Sequence, residues 1–139
     1  MAKLHFHYST MNAGKSTSLL QSNHNYEARG LKTYLFTPKV DADLHEGLIH
    51  SRLGLEKKAN IFNDSFNFYD YFKLKENENI ACILVDEAQF LSEDQVKQLA
   101  QVCDKYNIPV MCYGIRTDFR GELFQGSMSL LAYADTLVE

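Results

Sequence analysis

HYSTMNAGKSTSLL, residues 7–20, holds the run Ser9-Thr10-Met11-Asn12-Ala13-Gly14-Lys15-Ser16, followed by Thr17. It matches the phosphate-loop pattern G-x-x-x-x-G-K-[ST] at every fixed position except the first. In such a loop the backbone N–H groups turn inward around phosphate oxygens, and the helix that follows adds its positive end. Gly14 permits that backbone, Lys15 supplies a point charge to the β and γ phosphates, and Ser16 offers a hydroxyl to Mg²⁺. Ser9 fits in place of the usual glycine provided its φ is negative, because glycine is required only where φ is positive or the backbone is crowded. The flanks agree with this mechanism. KLHFHY (3–8) alternates apolar and polar residues as a half-buried strand does, and a helix is expected from Gly14-Lys15 to Arg29, stopped by Gly30.

Working outward, LKTYLFTP (31–38) reads as a second strand ended by Pro38, and residues 39–57, polar and without a clean period, as a long loop. ANIF (59–62) is a short strand and FNFYDYFKLK (66–75) a helix burying aromatics. IACILVD (80–86) is a continuous apolar run ending in an acid, the pattern of a central strand covered on both faces. Ser92 with Gln95 forms a capping box, and Val96, Leu99, Ala100 and Cys103 recur at helical spacing, predicting a helix over 93–106. IPVMCYG (108–114) is the next strand, RTDFRGELF a loop, QGSMSLLAYA a short helix, and DTLVE a last strand. Alternating strands and helices predict an α/β fold: a mostly parallel sheet with helices on both faces, in one nucleotide-binding domain over residues 1–139.

A second chemical signal stands 70 residues after Ser16, in CILVDEAQF. A strand ending in Asp86 presents that carboxylate at the sheet's carboxyl edge, where a Mg²⁺ held by Ser16 would sit. Glu87 is expected to point away from its neighbour because side chains alternate along a strand. It is the candidate general base. The acidic pair leaves open whether it activates water, as in an ATPase, or a substrate hydroxyl, as in a kinase.

The bulk numbers narrow the classes. With 139 residues, 45% of them hydrophobic, the chain can bury one core. A formal charge of −4 opposes a protein whose main work is gripping a nucleic-acid backbone. No apolar run approaches the roughly 20 residues that span a bilayer, and the amino terminus lacks a signal peptide's apolar segment, so a cytoplasmic location is expected. Cys82, Cys103 and Cys112 lie in apolar runs without C-x-x-C spacing and read as buried reduced thiols. His5, His7, His24, His45 and His50 form no ligand pair on a helix face.

STMNAGKST, VDEAQF and YGIRTDFRGELFQGS, in this order and spacing, closely resemble the thymidine kinases of the type found in bacteria and in animal cytosol. The resemblance implies a RecA-like core that transfers the γ-phosphoryl of ATP to the 5′-hydroxyl of thymidine, giving thymidine monophosphate. By position, residues 9–17 would bind the ATP phosphates, Ser16 and Asp86 the Mg²⁺, and Glu87 would be the base. Met11, Phe90, Ile115, Phe119 and Phe124 would line the nucleoside pocket, their apolar faces suiting a thymine ring. The resemblance also implies a homo-oligomer, commonly a tetramer, and inhibition by thymidine triphosphate, while the charge and the short apolar runs argue for neither nucleic acid nor membrane as partner. Two departures stand out. Asp43 occupies a position where the family usually has an arginine, leaving Arg52, Arg116 or Arg120 to neutralise phosphoryl charge. The family normally continues past TLVE into a cysteine-bearing zinc module whose loop closes over the base, whereas this sequence stops at Glu139 and shows no zinc site. Without that lid the alternatives are a nucleotide-binding module without turnover and a P-loop ATPase.

Overall fold

The computed structural model describes residues 1–9, 15–40, 47–51, 54, 56–117 and 121–139. Strands β1 (Leu4–Ser9), β2 (Thr33–Pro38), β5 (Asn60–Phe62), β6 (Cys82–Val85), β7 (Val110–Ile115) and β8 (Thr136–Val138) form one sheet in the order β5-β2-β6-β7-β1-β8. Every pairing in it is parallel. Helix α1 (Lys15–Ala28) covers one face. Helices α2 (Phe68–Lys73), α3 (Glu93–Tyr106) and α4 (Gln125–Tyr133) cover the other, and a 3₁₀ turn, Ala88–Phe90, follows β6.

Period-two alternation sorts the strands between the two cores. Phe36, Ile83, Val85, Val110 and Cys112 join Leu4 and Phe6 beneath Phe68, Phe72, Val96, Leu99, Val102 and Leu130. Their neighbours Leu35, Cys82, Leu84 and Tyr113 face Leu19 and Leu20 of α1. Phe36 meets Phe66, Phe68, Tyr71 and Phe72 at ring separations of 5.1–5.9 Å, which suits the edge-to-face preference of aromatic rings. The thiols of Cys82, Cys103 and Cys112 are all buried and free. Burial pushes the first two up to about 12 and the third well above its ordinary value.

The helix signals act as the sequence predicts. Gly30, at φ 74°, ends α1, its N–H donating to Glu27 O while Leu31 N–H donates to Tyr26 O. Ser92 Oγ accepts from Gln95 N–H at 3.1 Å, and Gln95 Oε1 accepts from Ser92 N–H at 3.0 Å. Gln95 is 1% exposed, and its amide also donates to Asn63 O and Phe66 O, tying α3 to the turn before α2.

Two expectations need correction. Residues 39–57 are not all loop: β3 (Leu48–His50) pairs antiparallel with β4 (Glu56–Lys58). Two three-residue strands, one of them wholly charged, are too short to show an alternation, and Ile49, fully buried against the α1 side, is the apolar anchor. The strand carrying Asp86 also stops earlier, at Val85, so strand alternation does not set the direction of Glu87.

Candidate active site

Strand β7 lies between β1 and β6, and all three run parallel, so the carboxyl ends of β1 and β6 flank that of β7. Ser9 is the last residue of β1, in extended conformation, and the position tolerates a side chain there. Lys15, Ser16 and Thr17 open α1. The Ser16 hydroxyl donates to the Asp86 carboxylate, at 3.2 and 3.3 Å from its two oxygens. Asp86 is 3% exposed, and its N–H still donates to Phe36 O, so β6 delivers the carboxylate rigidly. A hydroxyl and a buried carboxylate converging in this way form a hard oxygen donor set of the kind Mg²⁺ takes. Residues 10–14, including Met11 and Gly14, lie outside the described residues, as do Asp43, Arg52, Phe119 and Arg120.

Immediately after Asp86 the backbone turns through a left-handed residue: Glu87 has φ 50° and ψ 44°. Such a conformation costs a non-glycine residue of order 1 kcal/mol or more and persists where the surroundings over-determine it. The surroundings here are two glycines. A Cβ on Gly114 of β7 would fall 2.6 Å from Gln89 Oε1, and one on Gly126 of α4 would fall 2.5 Å from Ala88 O and 2.7 Å from Gln89 O. The 3₁₀ turn is thus seated against bare backbone on both sides. Gln89 Nε2 donates to Glu87 Oε2 at 2.5 Å. Glu87 is partly exposed whereas Asp86 is buried, so the adjacent acids occupy different environments.

Three of the apolar residues, Phe90, Ile115 and Phe124, lie around this turn. Phe90 is 42% exposed, which removes it from the core, and its ring meets Phe124 edge to face at 5.9 Å. Ile115 ends β7 beside them, its N–H donating to Gln89 Oε1 and its carbonyl accepting from Ser127 Oγ. Phe90 also borders a cleft of about 460 Å³ lined by Pro38, Lys39, Val40, Phe62, Asn63 and Asp64. Arg116 N–H donates to Ser9 O, and its guanidinium lies 5.6 Å from the centre of the Tyr8 ring, beside the phosphate-loop strand.

Sequence reasoning missed four residues. Gln89, Gly114 and Gly126 stand inside motifs whose spacing shows in the sequence but whose packing does not. His7 of β1 stacks on Tyr113 at 4.5 Å, and its Nε2 is buried without a partner among the described residues. Burial first, then the charges of Lys15 and His5, hold the His7 imidazole below its ordinary pKa. Among the described residues no group of three or more His, Cys, Asp or Glu side chains could hold a metal ion, and no helix is long and apolar enough to cross a membrane.

Known proteins match the chain along its whole length. The family described as thymidine kinase matches residues 2–139. A thymidine kinase of Shewanella oneidensis is 54% identical over 140 residues, covering all of this chain and 73% of the relative. One from Legionella pneumophila (strain Paris) is 54% identical over 142 residues, covering all of this chain and 68% of the relative. One from Aliivibrio fischeri is 53% identical over 140 residues, again covering all of this chain and 73% of the relative. A family match over residues 2–139, with relatives about half identical over the whole chain, places the chain in the thymidine kinase family.

Proposed function

We propose that this protein is an ATP-dependent thymidine kinase in which Glu87 removes the proton from the 5′-hydroxyl as it attacks the γ-phosphorus of ATP. The observation that carries the phosphoryl-transfer half is the meeting of the Ser16 hydroxyl with the buried Asp86 carboxylate, brought from 70 residues apart. The acceptor half rests on the relatives' names and on the apolar wall of Phe90, Ile115 and Phe124 next to Glu87. Ser16 and Asp86 would hold Mg²⁺, which when bound neutralises charge on the β- and γ-phosphate oxygens. Lys15, at the positive end of α1, attracts the same phosphates. The edge-to-face pair Phe90–Phe124 offers one open ring to stack on a thymine. Glu87 sits on a turn clamped by backbone contacts, so its carboxylate is positioned before substrate arrives.

By the same resemblance we assign the protein to the cytoplasm, where buried free thiols stay reduced, and to a homo-oligomer inhibited by thymidine triphosphate. The test is to incubate the full-length protein with Mg-ATP, with and without thymidine, and to quantify ADP and thymidine monophosphate. Equal amounts of both, formed only with thymidine, are expected. ADP without acceptor would instead make it an ATPase. Glu87→Gln is expected to lose about 10²–10⁴ in kcat while still binding nucleotide, and retained turnover would remove Glu87 as the base.

A further inference from the structure

We propose that Gln89 is a positioning residue for phosphoryl transfer, its side-chain amide fixing the Glu87 carboxylate against the end of β7. The inference rests on Glu87 being the base.

A glutamine that is 3% exposed must have both ends of its amide partnered or it destabilises the fold. Here the two partners lie on different elements. Nε2 donates to Glu87 Oε2 at 2.5 Å, and Oε1 accepts from Ile115 N–H at 3.3 Å. The carbonyl of Ile115, in the next peptide, accepts from Ser127 Oγ of α4. One hydrogen-bonded chain therefore runs from the base, through Gln89, to the strand end that carries an acceptor-wall residue, and on to α4. The Gln89 amide oxygen has room only because residue 114 is glycine. Glu87 projects from a left-handed turn on a side chain with three rotatable bonds, and the amide restricts those rotors in the ground state. Placement of the base and placement of the acceptor wall are thus linked through one side chain.

Two variants separate positioning from simple support of the turn. Gln89→Glu keeps nearly the same volume and keeps an oxygen for Ile115 N–H, but it loses the donor to Glu87 and sets a second carboxylate against it. Gln89→Met keeps length and volume and loses both bonds. In the full-length protein, with radiolabelled thymidine as acceptor, both are expected to lower kcat about 10- to 100-fold, as small misplacements of a reacting group do. The KM for ATP and the nucleotide-induced shift in melting temperature should change less than about two-fold.

The decisive readout is the pair Glu87→Gln and Glu87→Gln/Gln89→Met. If Gln89 acts through Glu87, the second substitution lowers the residual rate no further. Wild-type kcat in both single variants would overturn the proposal, as would an equal further loss in the double variant. Full turnover by Glu87→Gln alone would remove the base assignment itself, a result visible without any change at Gln89.

Discussion

Gly126→Ala tests whether the clamp on the 3₁₀ turn matters to chemistry rather than to folding. The added Cβ would lie 2.5 Å from Ala88 O and 2.7 Å from Gln89 O, where side-chain carbons essentially never come within 3.0 Å. The turn and α4 must therefore separate by at least roughly half an ångström, since both obstructing atoms are backbone. Overpacking of this kind costs about 1–3 kcal/mol. Alanine in a helix recovers about 1 kcal/mol over glycine, leaving a net loss of about 0–2 kcal/mol. At about 3–5 °C per kcal/mol for a chain of this size, the melting temperature falls by no more than about 10 °C. The catalytic cost is larger in proportion. If a 1 Å misplacement costs about 100-fold, half of it costs about 10-fold, and it falls on Glu87 and Gln89 together. Steady-state phosphorylation of thymidine, measured well below the melting transition, should show kcat reduced about 10-fold with nucleotide affinity intact. Met128→Ala, on the exposed face of the same helix, is the control and should change neither quantity. A Gly126→Ala protein with kcat within two-fold of the parent would refute the idea that this turn sets the position of the base.

Three further outcomes are expected. Gln95→Leu removes three hydrogen bonds and leaves the carbonyls of Asn63 and Phe66 without their donor, so chemical denaturation should show a loss of about 2–4 kcal/mol. Glu78 is held down to about 2 by hydrogen bonds from Lys32 and Tyr34, aided by their neighbour Lys75. Because its folded pKa is depressed, its contribution is present above the ordinary value near 4.5 and is lost as pH falls toward 2. Glu78→Gln should flatten the melting temperature across that window. His7 is also depressed, below an ordinary value of 6.5, so stability is complete above that pH and declines as pH falls through it. His7→Phe, which keeps a ring against Tyr113, should lose less melting temperature between about pH 7.5 and 5.5 than the parent.

The parallel sheet was legible because its strands carry strong local signals. The apolar run 82–85, the capping box of Ser92 and Gln95, and the terminating Gly30 each act through chemistry confined to a few residues. Ser16 and Asp86 were legible as a pair because residues that follow the ends of parallel strands gather at one edge of the sheet, where the structure brings the hydroxyl to the carboxylate. The left-handed turn at Glu87 was not, since glutamate gives no sign of a positive φ, and the turn is imposed by what packs on it. Gly114 and Gly126 look like ordinary punctuation in the sequence. Their meaning is a close approach between segments far apart in the chain, which only the folded backbone shows. The β3–β4 hairpin escaped for a related reason, because Glu56, Lys57 and Lys58 pair through backbone while all three side chains remain exposed.

The strand order also governs the timetable of synthesis. β1 pairs with β7 and β8, which begin at Val110 and Thr136, whereas β2, β5 and β6 are complete by Val85. At a ribosomal rate of roughly 5–20 residues per second, the strand that leads into the phosphate loop waits about 5–20 s for its first sheet partner. Its alternating apolar residues, Leu4, Phe6 and Tyr8, remain uncovered while half of the sheet has already zipped. A nascent chain stalled before β7 should therefore already protect its β2–β6 half from protease, and it should gain the capacity to hold nucleotide only when residues 110–139 emerge.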